Sequence, residues 1–409
     1  MDNGPLGDLA ENRTLQGKHM ISFDEAFRIV LENTGQTAAE DIALGDCLGR
    51  VLAADVASDM DMPPHDLSAM DGFACRQADL DAGLTEIETI PAGYMPQKAV
   101  AGGRCSRIMT GAVVPKGADI VVMFEHTEAR DGLVYVVKKS GRTNIRRKAE
   151  DARAGDMVLA AGTVLRPVEI AVLASVGCDP ATVYAMPRVG VVATGDELIE
   201  PRQKPTAAKI RNSNSYQLCA QIQRAGCIPK YFGIAKDTPE AIDVILAAAI
   251  EQCDVVIFSG GVSVGDYDFV PQILSDNGID IKFAKVKIKP GRPTVFGTKG
   301  NKYFFGLPGN PVSTFVLFEV LVRPFLVKLM GADYRPARIR GRLAKDVIKR
   351  KADRSEFRPV KLEADGAVNF FAYHGSAHIH AYTHANGIVQ IPAGVGKLNA
   401  GSDVEVTLI

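Results

Sequence analysis

From Ser22 the apolar positions of FDEAFRIVLENT recur every three to four residues, the period of an amphipathic helix. Ser22 is the expected N-cap, and Glu25 three residues later gives the capping-box pattern. Over 55–140 the pattern shortens to runs such as DIVVMFEH and LVYVVKK between turn signals (MPPHD, DAG, AGG, PKGAD, RDG), which predicts a β-rich module inserted in the chain. Loops then surround VEIAVLASVG (168–177), an apolar helix candidate ended by Gly177. Near 185 the pattern becomes that of βαβ units: RVGVVATGDEL, NSYQLCAQIQRAGC, IPKYFGIAKD, TPEAIDVILAAAIEQC, DVVIFSGG and YFFGLPGN alternate strand-like with helix-like segments. This predicts a three-layer α/β domain with a mostly parallel sheet. FVLFEVLVRPFLVKLM (315–330) carries Glu319, Arg323 and Lys328, so it reads as one largely buried helix and not as a membrane span. Beyond Gly331 short strands return (RIRGRLA, FRPVKLE, AVNFFAY, IVQIP, VEVTLI), predicting a small C-terminal β-domain.

The 409 residues exceed one ordinary core. The balance of 47 basic and 48 acidic residues gives a net charge of −1, so no global field recruits nucleic acid or an anionic membrane, and any anion site has to be local. Seven scattered cysteines, odd in number and without a C-x-x-C, point to free thiols in a reducing compartment, hence the cytoplasm. The first twenty residues are polar, lack the apolar stretch of a signal peptide, and read as a flexible arm.

In an open α/β sheet ligands bind beyond the carboxyl ends of the strands. Four loops follow predicted strands there: TGDEL (194–198), SGGVSVGDYD (259–268), KVKIKPGRP (285–293) and GLPGNPVS (306–313). Each has a bland reading. TGDEL is a helix start capped by Thr194 or Asp196, Asp268 caps the helix that follows it, the lysines are a solvated strand face, and the prolines fix a turn. Taken together they change meaning. Gly260, Gly261 and Ser263 form a loop that lets backbone approach a phosphate, while Glu197, Asp266 and Asp268 would repel one. Mg²⁺ between carboxylate and phosphate resolves the conflict, with Lys285, Lys287, Lys289 and Arg292 as the local cations. No G-x-G-x-x-G follows a strand, which argues against a dinucleotide fold. Four of the seven histidines (374, 378, 380, 384) crowd YHGSAHIHAYTHANG, where His378 and His380 would share a strand face; a solvated loop is the preferred reading over a transition-metal site.

Seven motifs in register, PPHDLSAMDGFA (63–74), RIMTGAVVPKGAD (107–119), NIRRKAEDARAGD (144–156), TGDEL, SGGVSVGDYDF, KIKPGRP and GLPGNPVS, resemble the molybdopterin molybdenumtransferase family, which includes the larger catalytic domain of gephyrin-type proteins. The resemblance implies multidomain α/β plus β architecture: a discontinuous N-terminal domain (21–54 and 141–184), the insert (55–140), an α/β molybdopterin-binding domain (185–332) and a C-terminal β-barrel (333–409). It implies elongated homodimers in which the insert of one subunit covers the pterin site of the other. The implied reaction inserts molybdate into adenylylated molybdopterin, with Mg²⁺-assisted release of AMP.

Carried onto this chain, the family's acidic set is Asp71, Asp151, Glu197, Asp237 and Asp268, joined by Thr110. Lys285, Lys289 and Pro290 match the KxxxKPG element, Pro308, Pro311 and Ser313 match the LPGNPVS wall, Arg354 stands near the oxyanion, and Ser376 falls in the serine-rich turn. The chain departs from the family pattern at His380 and Ala381, where serines are common, and at Arg292, where lysine is frequent. Two other readings are an adenylyltransferase that prepares the pterin and a non-catalytic dimeric cofactor-binding scaffold. An adenylyltransferase or a cofactor-delivery protein is the expected partner.

Overall fold

The computed structural model describes residues 20–263, 268–371 and 375–409; Asp266, His374 and nearly all of the expected N-terminal arm lie outside the described residues. The chain forms two compact units. One gathers residues up to Glu40, Gly49–Ala53 and Thr182–Ile409, and the other Asp41–Leu48 with Ala54–Ala181.

In the first unit, Arg188–Thr194 lies between Ile228–Ala235 and Val255–Ser259, and Lys302–Leu307 follows, all parallel. Pro293–Lys299 is antiparallel to both Lys302–Leu307 and Asp280–Lys289, so five of the six strands point the same way. The alternation of strand side chains splits the core into two layers. Val189, Val191, Val255, Ile257 and Phe305 pack under the helices Asn214–Arg224 and Phe23–Glu32, while Val192, Val256, Phe258 and Phe304 pack under Pro239–Gln252 and Val270–Asp276. Covered on both faces, Val255–Ser259 is buried at every position, which is why it reads as an uninterrupted apolar run.

The sheet continues into the C-terminal region, where Ile288 and Lys289 register against Ser355 and Glu356. There Ser355–Leu362, Ala367–Phe370, Arg338–Leu343, Asp403–Leu408 and Gly387–Ile391 pair in a closed ring, so the five expected tail strands form a barrel and leave no open edge. The second unit holds a four-stranded sheet in the order Thr85–Ile90, Arg104–Ile108, Gly72–Cys75, Ile120–Met123, the hairpin Thr127–Arg130 with Leu133–Val136, and the helix Pro167–Ser175.

Local expectations meet the structure unevenly. Ser22 Oγ accepts from the Glu25 N–H at 3.1 Å, the first half of the capping box. The apolar stretch 315–330 is not one regular helix: Pro311–Leu317 runs into a π turn, Phe318–Val322, before Arg323–Leu329. Pro324 supplies the reason, because it has no N–H to give and its ring displaces the preceding turn. Glu319, on that π turn, is buried yet compensated by Gln221 Nε2 (2.6 Å), Arg224 Nη2 (2.5 Å) and Arg323 Nη1 (3.1 Å). All seven cysteines are free, and burial pushes the Cys75 and Cys105 thiols up to about 12, keeping both protonated. Among the described residues no helix is long and apolar enough to cross a membrane.

Phe325, fully buried, sits with its ring centroid 4.9 Å from that of Tyr303 and 5.1 Å from that of Phe305. Phe325→Ala is expected to destabilise the first unit by about 3–5 kcal/mol, read as a lower urea midpoint by circular dichroism.

Candidate active site

Thr194, Ala235, Ser259, Lys289 and Leu307 end the five co-directional strands, and the loops that follow meet at this carboxyl edge. A cleft of about 630 Å³ opens there, lined among others by Glu197, Asp237, Asp268, Gly260, Gly261 and Pro311. Six of the expected site residues are thus brought together. Gly260, at φ +101°, would place a Cβ 2.6 Å from the Thr194 carbonyl, so only glycine fits this turn against the neighbouring strand. Its N–H already donates to Leu307 O at 2.9 Å, so Gly260 contributes close approach and not a free donor. Ser263 is exposed and immediately precedes the undescribed 264–267.

The bland readings of the acidic loops fail. TGDEL starts no helix; it leads into the short strand Leu198–Ile199. Phe269, not Asp268, occupies the N-cap position of Val270–Asp276. Thr238, not Asp237, caps Pro239–Gln252, accepting from the Ala241 N–H at 3.3 Å. Asp237 instead accepts from the Asp196 N–H at 3.0 Å, and its own N–H reaches Asp196 Oδ1 at 3.4 Å. Burial pushes the Asp237 carboxyl above its ordinary range; the Asp196 N–H pulls it down, and the charges of Asp196, Glu197 and Asp268 raise it further.

Among the described residues no group of three or more His, Cys, Asp or Glu converges as a closed metal site. The donor chemistry still fits Mg²⁺, which takes one or two carboxylates, keeps waters and completes its shell with substrate phosphate oxygens. The crowding felt by Asp237 is what a cation would relieve. Among the described residues the histidines form no site: Ile379–His384 is a 3₁₀ turn, so His378 and His380 do not share a strand face.

The basic side differs from the expectation. Lys285, Lys287 and Lys289 do share a face, because Val286 and Ile288 between them are buried, but none of the three lines the cleft. Lys289 Nζ lies 3.1 Å from Glu356 Oε1, a carboxylate only 3% exposed that also takes Arg358 Nε at 2.9 Å. These two cations hold the Glu356 carboxyl below its usual range in spite of burial. Pro290 follows Lys289 at the same edge, and Arg354 precedes the strand that registers on Ile288. In the opposite wall Ser313 is buried, the Pro308 carbonyl accepts from Thr314 Oγ1 at 2.5 Å, and the Ser376 carbonyl accepts from the Val312 N–H at 3.0 Å, placing the Ser376 turn beside Pro311.

Asp71, Thr110 and Asp151 belong to the second unit. Asp71 makes no turn of its own: Oδ1 accepts from the Thr110 N–H at 2.6 Å and from its hydroxyl at 2.7 Å. Those two bonds lower the Asp71 pKa, backbone donor first. Asp151 pairs with Arg146, whose strand Ile145–Arg146 registers on Leu67–Ser68, so the SAMDG and RRKAED motifs adjoin.

Sequence reasoning missed Arg211, Asn212 and Asn214, which line the cleft. Asn214 Nδ2 donates to Ser259 Oγ (2.9 Å) and Gly309 O (2.8 Å), stitching the glycine turn to the proline wall. The polar run RNSNS ahead of an amphipathic helix was the available signal.

Three family models cover the chain in order: the MoeA N-terminal region (domain I and II) over 21–177, the probable molybdopterin binding domain over 190–328 and the MoeA C-terminal region (domain IV) over 340–409. The chain is 36% identical to a molybdopterin molybdenumtransferase of a Nostoc species, covering 93% of this chain and 91% of the relative, and 34% identical to one of Staphylococcus aureus, covering 96% and 97%. The solved molybdopterin biosynthesis MoeA protein of Pyrococcus horikoshii superposes with a TM-score of 0.83 at 30% identity, over 96% of this chain and all of that one. With this domain order and these relatives along nearly its whole length, the chain belongs to the MoeA family of molybdopterin molybdenumtransferases.

Proposed function

We propose that this chain is a molybdenumtransferase that inserts molybdate into adenylylated molybdopterin and releases AMP. The observation that carries the reading is the carboxylate crowd at Asp237, set against the Gly260–Gly261 turn in one cleft. Glu197 and Asp268, with Asp266, would hold Mg²⁺, which when bound offsets the phosphate charge and polarises the phosphoanhydride. Asp237 and Asp196, locked to each other's backbone, keep Glu197 and its neighbours in place against their mutual repulsion. The Lys289 ammonium has three protons and spends one on Glu356, leaving two for a molybdate oxygen or a pterin phosphate. Lys285 and Arg354 add positive charge along the same strand pair, and Pro290, Pro308, Pro311, Ser313 and Ser376 shape the walls.

The reading includes a homodimer in which Asp71 and Thr110 act on the partner's cleft, and a cytoplasmic setting supported by seven unpaired cysteines. A transferase consumes the adenylate, an adenylyltransferase consumes ATP and a scaffold consumes neither, so a mixed assay with ATP, molybdopterin and molybdate separates the three.

Asp268→Asn is expected to slow AMP release about 10²-fold with melting temperature unmoved. Unchanged release at saturating Mg²⁺ removes the metal role. Lys289→Ala should weaken oxyanion or pterin-phosphate affinity by about 1.5–3 kcal/mol, and full affinity at physiological salt limits that lysine to its ion pair with Glu356. A heterodimer of Asp71→Ala with Asp268→Ala subunits should recover about half the wild-type activity, since a twofold dimer then keeps one intact composite site. If Asp71 acts within its own chain, both sites carry a lesion and the mixture stays as inactive as either parent.

A further inference from the structure

The cleft's lining residues among those described include three carboxylates, Glu197, Asp237 and Asp268, and a single cation, Arg211. Arg211 sits on the short strand Ile210–Arg211, registered on Leu198–Ile199 directly after Glu197. The Ile210 N–H donates to Glu197 O at 2.8 Å, so the arginine and the acidic loop are tied by backbone. Arg211 Nε donates to Pro201 O at 3.0 Å and to Gln203 O at 3.1 Å. Two carbonyl anchors on one nitrogen fix the plane of the guanidinium. Among the described residues its terminal nitrogens make no hydrogen bond and no ion pair, despite the carboxylates in the same cleft.

Two other cations near this edge have protein partners. Lys209 Nζ donates to the Asp196 carbonyl, and Lys289 is held by Glu356. A planar fork of four remaining N–H groups, pre-oriented at one edge, matches a phosphate oxygen pair better than a lone spherical charge does. Arg211 also adjoins the acidic loop, where the proposed Mg²⁺ would meet substrate phosphate, whereas Lys289 lies at the barrel junction.

We propose that Arg211 binds the phosphoanhydride of the adenylylated substrate through its AMP phosphate, a role separate from oxyanion binding at Lys289. The proposal rests on the transferase reading and adds the residue that recognises the nucleotide half of the substrate. Isothermal titration of AMP with Mg²⁺ into wild type, Arg211→Gln and Arg211→Lys tests it without turnover. Arg211→Gln should bind AMP about 10- to 100-fold more weakly, the scale of charged hydrogen bonds. Arg211→Lys should fall between, keeping the charge but not the fork. The KM for molybdate and the melting temperature should stay at wild-type values in both variants. AMP affinity in Arg211→Gln equal to wild type overturns the proposal, as does a wild type that fails to bind millimolar AMP. A weakened affinity that comes with a raised molybdate KM and a lower melting temperature marks a collapsed loop and also overturns it. The transferase reading is judged separately, by AMP release from adenylylated molybdopterin in wild type: release with an unaltered Arg211→Gln affinity sinks the arginine alone.

Discussion

Asp196, Glu197, Asp237 and Asp268 approach one another because the loops that carry them leave parallel strands that end in register, Thr194 opposite Ala235 and Ala193 opposite Ser259. Coulomb repulsion opposes this arrangement; the buried apolar strands on both faces enforce it. Burial first, and then the charges of Asp196, Glu197 and Asp268, raise the Asp237 carboxyl. A carboxyl with a raised folded-state pKa binds its proton more tightly in the folded chain, so it favours folding at pH below its unfolded value, and that contribution is lost as pH rises through the folded value. At neutral pH the group is therefore a cost, one that a bound cation would offset by mass action.

The other side of the same edge is organised by attraction. Lys289 and Glu356 are direct partners in the strand pairing that joins the α/β sheet to the barrel, and their ion pair sits on that joint. Glu356 is almost wholly buried, so it requires both Lys289 and Arg358, and in return it fixes where the lysine ammonium points. Fixed charges around a cleft need no reorganisation when a substrate of opposite charge arrives, which is the condition for electrostatic catalysis.

Much of this was legible in the sequence because it depended on local periodicity. Strand runs, turn glycines and the loops after them follow from alternation and from backbone geometry, and so does the grouping of Glu197 with Asp268, whereas Asp237 entered only through the resemblance to the family. What escaped depended on partners far away in the chain. Lys289 reads as a free cation until Glu356, sixty-seven positions on, takes one of its protons, and the bond between Asp71 and Thr110 spans thirty-nine positions. Arg211 lies in a polar connection without periodicity, where nothing local distinguishes a cleft cation from a solvated one. The helix over 315–330 was misjudged for a different reason: apolar content predicts burial, but a single proline decides where the regular turn has to widen.

Buried carboxylates elsewhere in the same unit show what this fold does when no ligand is involved. Glu319 collects Gln221, Arg224 and Arg323, and Glu356 collects Lys289 and Arg358, so each buried negative charge is met by two cations. At the cleft the rule is broken twice. Half-buried Asp237 is faced by the charges of three other carboxylates, and among the described residues the Thr194 hydroxyl, buried against the glycine turn, has no hydrogen-bond partner. A chain that compensates Glu319 so fully has the means to compensate Asp237 with one more arginine, and the guanidinium that lines the cleft, Arg211, is anchored to backbone carbonyls instead of to the acids. Unmet charge beside an unmet hydroxyl in one crevice is what a site completed by something other than protein requires, and the groups gathered there, carboxylates with an arginine anchored next to them by Nε alone, call for a cation and a phosphate together.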